Sequence, residues 1–136
     1  MEENSFRFVD STHKMFFEEA LEKIKTQDVC HYALIYCLGI SADVRSHIGD
    51  VFDFEADCVK PECLTQGWIT SGSSRVVRMA FNLYCNGVPG IHELDSDEDR
   101  IKECLSYTVG DLFCCGYAPY FWEAVKLRYP EYTDWN

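Results

Sequence analysis

The stretch from Asp28 to Leu38 leaves water almost no polar face to meet. Val29, Tyr32, Ala33, Leu34, Ile35, Tyr36 and Cys37 make it apolar almost all round before Gly39 ends it. A helix that is apolar on every side has to be enclosed by others, so this segment predicts the middle member of a helical bundle. A strand over Ala33–Leu38 is the competing local reading. The rest of the chain favours helices. From about Thr12 to Lys25, Phe16, Phe17, Ala20, Leu21 and Ile24 form one apolar stripe, with Asp10 or Ser11 placed to cap it. Ser41 reads as the cap of a short helix running to about His47.

Ser71-Gly72-Ser73-Ser74 reads as a turn and cap. The helix that follows runs to about Cys85, with Val76, Val77, Ala80, Phe81, Leu83 and Tyr84 inward, and is ended by Gly87 and Pro89. Ser96 and Asp99 resemble a capping box opening a helix from Asp97 to about Tyr107. A short helix over Val109–Cys115 and a last one from Pro119 to Tyr129, stopped by Pro130, complete the set. From Ile48 to Thr70 the pattern loosens around Gly49, Pro61 and Gly67. The expectation is an all-α, compact single-domain bundle over residues 1–136. It should have about five to seven helices, roughly 60% helix, and one long irregular loop at about residues 48–70.

Charge narrows the function classes. The 136 residues carry 23 acids against 12 bases, a net charge of -11. Such a surface repels phosphate backbones, so no direct nucleic-acid binding is expected, while a basic partner is favoured. The plainer reading is that the charge serves solubility. One acid cluster holds Asp50, Asp53, Glu55, Asp57 and Glu62, a second Glu93, Asp95, Asp97, Glu98, Asp99 and Glu103. The apolar runs are too short to span a bilayer, so no membrane association is expected. The acidic, polar start at Met1-Glu2-Glu3-Asn4 lacks the basic and apolar regions of a secretory signal, which points to the cytoplasm. The eight cysteines are then expected to stay reduced.

Three segments invite chemistry. Arg75, read as standing in the first turn of a helix, is unfavourable there unless an anion offsets it. With Ser71, Gly72, Ser73, Ser74 and Arg78 it makes a candidate phosphate or carboxylate site, the basis of an alternative reading as a small-ligand or enzymatic module. The plainer reading pairs both arginines with nearby acids. Cys58 and Cys63 stand at CxxxxC spacing, and His47, His92, Cys114 or Cys115 could complete a zinc tetrahedron. No second CxxC pair exists and the local acids oppose thiolate formation, so no metal or other cofactor is expected. Cys114 and Cys115 fall near a helix C-terminus, where the dipole disfavours a nucleophilic thiolate. His31 lies on the apolar segment and reads as a satisfied core histidine. No catalytic residue is assigned. Among the crowded C-terminal aromatics, Trp135 is a candidate interface anchor.

Two segments carry a resemblance. They are Gln66-Gly67-Trp68-Ile69-Thr70-Ser71-Gly72-Ser73-Ser74-Arg75 with Ala80-Phe81-Asn82-Leu83-Tyr84, and the run from Phe113-Cys114-Cys115-Gly116-Tyr117 to Tyr129-Pro130. The chain resembles an uncharacterised family of small cytosolic proteins encoded on phages and conjugative elements of gut Firmicutes. That resemblance brings no activity and no catalytic residue. It implies a setting in which small acidic proteins bind host proteins, defence nucleases among them. The expected function is therefore a non-enzymatic acidic interaction protein of a mobile genetic element. It would dock on a basic nucleic-acid-handling host protein, and a counter-defence, anti-CRISPR-like inhibitor is one form of this. Its expected partner-binding residues are Asp50, Asp53, Glu55, Asp57, Asp95, Asp97, Glu98, Asp99 and Trp135.

Overall fold

The structure is a computed structural model that describes residues 6–86 and 96–133. Its main helices are α1 (Ser11–Leu21), α2 (Val29–Leu38), α5 (Ser71–Cys85), α6 (Asp97–Leu105) and α8 (Ala118–Arg128). Short helices α3 (Ala42–Ser46), α4 (Ile48–Val51), α7 (Val109–Phe113) and α9 (Pro130–Thr133) join them. The all-α reading holds: 66% of the described residues are helical.

α2 is the axis. Every residue from Ala33 to Leu38 has 0% exposure, because α5, α8 and α1 enclose it. Burying a Leu or Ile side chain contributes about 1.5–3 kcal/mol, so this one turn and a half carries much of the core. Its start is fixed by Asp28, whose Oδ1 accepts from the His31 amide at 2.9 Å. α1 is capped the same way by Asp10, whose Oδ1 accepts from the His13 amide at 2.9 Å.

Two local readings are corrected. Ser71–Ser74 is not a turn but the first turn of α5 itself. The cap is Thr70: its Oγ1 accepts from the Ser73 amide at 3.1 Å, and Ser73 Oγ accepts from the Thr70 amide at 2.8 Å. Both orphan donors are met reciprocally, with Ser where Glu or Gln is usual. Residues 48–70 are also less irregular than expected. They hold α4, a two-residue antiparallel hairpin pairing Phe52 with Val59 and Asp53 with Cys58, and a 3-10 turn over Pro61–Thr65. The hairpin turn closes on itself, since Asp53 Oδ1 accepts from the amides of Glu55 at 2.9 Å and Ala56 at 3.0 Å. Pro130 ends the run of α8 and begins α9.

No helix among the described residues is long and apolar enough to cross a membrane.

Candidate functional site

α6 exposes an unusual face. Ser96 caps it, its Oγ accepting from the Asp99 amide at 3.1 Å, and Asp97, Glu98 and Asp99 fill the first turn, where the helix dipole favours negative charge. No residue of α6 is buried. Ile101 and Leu105, one turn apart, are 62% and 61% exposed, so its apolar side meets water. Asp97 pairs with Arg100 at 3.7 Å and Glu98 with Lys102 at 3.5 Å. Such exposed pairs contribute little to stability and leave the acids open to a partner.

Just past α6 lies an apolar groove of about 220 Å³, lined by Met79 and Asn82 of α5, Tyr107, Val109, Leu112 and Phe113 of the α7 region, and Trp122 and Val125 of α8. Val109 is 71% and Trp122 57% exposed. The Phe113 ring leans on Trp122 at 5.1 Å and meets the buried Phe121 edge-on at 5.6 Å. Trp122 is thus held by its neighbours while its outer face is free, the arrangement of an interface anchor. Trp135 is the anchor expected from sequence, where Trp122 has no role of its own. Helical spacing around Phe121 was the available signal, since position 122 falls off the buried stripe.

The candidate acids divide. Asp50, Glu55, Asp97, Glu98 and Asp99 are exposed. Asp53 is engaged in the hairpin turn, and the Ala56 amide foremost holds its carboxyl below the usual range. Asp57 turns inward to His31. Asp95 and Trp135 lie outside the described residues.

His31 is a core histidine, satisfied on both sides. Its Nδ1 is 2.8 Å from Oδ1 of Asp28 and its Nε2 is 2.7 Å from Oδ1 of Asp57. Tyr84 Oη stands 3.2 Å from that Asp57 oxygen. Burial pulls the His31 pKa down, but the bonds to Asp57 and Asp28 and their charges prevail, so it lies above the usual value. Burial also raises Asp28, and the His31 amide and ring bonds outweigh it, leaving that carboxyl below its ordinary range.

The start of α5 answers the question of Arg75. Because Ser71 opens the helix, Arg75 stands in the second turn, away from the unsatisfied amides. Its Nε donates to Asp111 O at 2.9 Å and a terminal nitrogen lies 3.9 Å from Asp111 Oδ1. Arg78 donates to Ser74 Oγ and lies over the Tyr107 ring at 5.7 Å. Ser73 and Ser74 are buried, Ser71 is exposed, and Gly72 lies against the Tyr117 ring.

The cysteines of the CxxxxC pair are separated by environment. Cys63 is fully buried, its thiol pushed up to about 12 chiefly by desolvation, whereas Cys58 is exposed on the hairpin. Among the described residues no three His, Cys, Asp or Glu side chains are arranged to hold a metal ion. His92 lies outside the described residues.

A family model matches residues 3–136. The chain belongs to DUF6075, a family of unknown function. No curated protein and no solved structure matches it. The family supplies no substrate and no site residue.

Proposed function

We propose that this member of DUF6075 is a non-enzymatic interaction protein that docks on a basic, nucleic-acid-handling protein through the α6–α8 face. One observation carries the reading: α6 leaves Ile101 and Leu105 in solvent with Asp97, Glu98 and Asp99 in its first turn, and the chain runs on from it into the apolar groove at Tyr107 and Val109. Apolar area that the fold leaves uncovered marks an interaction surface, and acids at its edge select a basic partner. Trp122 and Val109 supply the area to be desolvated, while the acids steer the encounter. The net charge of -11 works in the same direction. The setting we favour is a phage or conjugative element, with the protein acting in the cytoplasm against a host factor, as a counter-defence inhibitor of the anti-CRISPR kind.

Affinity capture with three baits tests this: the wild type, D97K/E98K/D99K and W122A. A basic nucleic-acid-binding protein retained by the wild type and lost from both variants is the expected result. A wild-type bait that retains no basic protein, or a partner indifferent to both changes, would overturn the proposal. Genes neighbouring the locus offer a second check. Integrase or relaxase genes agree with the setting, and a metabolic operon contradicts it.

A further inference from the structure

His31 joins three chain segments that are far apart in sequence. Asp28 is the cap of its own helix, Asp57 belongs to the hairpin turn, and Tyr84 comes from α5. Both ring nitrogens lie within 2.8 Å of a carboxylate oxygen. A neutral imidazole has a single N–H and can donate to only one carboxylate, so both bonds together require the imidazolium. Tyr84 Oη is 3.2 Å from Asp57 Oδ1 and 3.3 Å from His31 Nε2. While the ring is charged, the hydroxyl donates to Asp57. Once Nε2 has lost its proton, that nitrogen becomes an acceptor within the hydroxyl's reach.

We propose that His31 is a proton-controlled latch for the Phe52–Val59 hairpin. With both nitrogens protonated, it ties the hairpin turn to α2. When the Nε2 proton leaves to solvent, the Nδ1–H stays on Asp28, Tyr84 turns its hydroxyl to Nε2, and Asp57 is released.

The surroundings fit a two-position device. Asp57 has φ 58, a left-handed turn conformation that Asp adopts more readily than most residues, and it aims the carboxylate at His31 and Tyr84. The hairpin has only two residue pairs of its own, and Lys60 N donates to Val51 O at 2.8 Å at its base, so the turn can move while the base stays. The charges acting on the ring are those of Asp28 and Asp57, and the nearest bases of the neighbouring helices have partners of their own. On α8 the guanidinium of Arg128 is engaged by Leu83 O and Asn86 Oδ1 at the end of α5. Beyond α1, Lys23 lies over the Phe54 ring of the hairpin. Burial and the Asp57 charge keep the Tyr84 hydroxyl protonated far into base, so it remains a donor throughout. The upward direction of the His31 shift agrees with two carboxylates that favour the charged ring.

The test is a nuclear magnetic resonance titration of the His31 ring alongside hydrogen exchange of the Glu55, Ala56 and Cys58 amides. The expected ring midpoint lies above about 6.5. Above it, hairpin exchange should quicken by at least roughly tenfold beyond the intrinsic pH effect, a factor that corresponds to about 1.4 kcal/mol. D57N removes the charge that favours the imidazolium and should lower the midpoint. Y84F removes a bond from each state, from Asp57 below the midpoint and from Nε2 above it, so it should move the midpoint less than D57N does. Exchange that ignores the state of His31 would overturn the latch, as would a D57N midpoint at or above that of the wild type. If D57N does not fold, the wild-type titration still decides.

Discussion

His13 and His31 are both buried, yet protons act on them in opposite directions. His13 Nδ1 accepts from the Val9 amide at 3.1 Å, and its Nε2–H donates to Tyr36 O at 2.8 Å. Every hydrogen bond of the neutral ring is met, and a second proton would face the Val9 N–H. Burial accordingly lowers the pKa to about 4. The unfolded chain takes up that proton near 6.5, so His13 contributes stability above this value. The contribution fades as pH falls toward 4, for a total of about 3 kcal/mol. For His31 the sign reverses: its contribution is complete below about 6.5 and is lost as pH rises through its raised folded value. Urea melts of the wild type and H13Q at about pH 7, 5.5 and 4.5 should show a wild-type loss in acid that the variant lacks. Next to this ring, a Cβ on Gly39 would lie 2.7 Å from Phe16 Cδ2 and 2.8 Å from His13 Cδ2. G39A should therefore cost about 1–3 kcal/mol by overpacking, read as a lowered melting temperature. Sequence revealed that His31 was a core histidine. It could not reveal Asp57 as a partner, because the two stand 26 residues apart and only the folded hairpin brings them together.

At the scale of elements, apolar pattern was the reliable guide. The all-round apolar character of Val29–Leu38 identified the central helix because enclosure is the only way to remove every face from water. L34A should cost about 2–5 kcal/mol, since α5 and α8 close the site on both sides and limit collapse. Chemical denaturation measures it. The start of α5 was misread because Gly and Ser have turn character on their own, and only the Thr70–Ser73 exchange of bonds recruits them into a helix. T70A should lower stability by about 1 kcal/mol, whereas S71A, at an exposed position outside that exchange, should change it by a few tenths. The hairpin at 52–59 escaped the sequence reading altogether. Two residue pairs are too short to show alternation, and the pairing is held by Asp53 in the turn and Asp57 on His31.

For the whole molecule the governing quantity is charge. A surplus of acids repels itself in the folded state and steers a basic partner from a distance, and salt screens both effects. Raising salt from about 0.05 M to about 0.5 M should slow association with such a partner at least roughly tenfold and alter dissociation far less. W122A should do the reverse, raising the dissociation rate at every salt concentration. Surface-binding kinetics separate the two contributions, and an association rate flat across salt would reduce the charge to a solubility role. The acidity of the face was legible in sequence. The groove beside it was not, because exposure of Trp122 depends on how α7 meets α8.

The eight thiols divide in a way that gives the molecule its own gauge of unfolding. Cys37 and Cys63 are sealed in the core with raised pKa values, while Cys58, Cys85, Cys104 and Cys114 lie at the surface. A brief alkylation pulse followed by mass measurement should add adducts quickly at Cys58, Cys104 and Cys114, and more slowly at Cys85, whose thiol burial pushes up. The sealed pair should be labelled only in molecules that have opened, because the reacting species is the thiolate and it needs access. Counting those last two adducts against denaturant or time would report the open population without an added chromophore, a tag or any knowledge of what the protein binds.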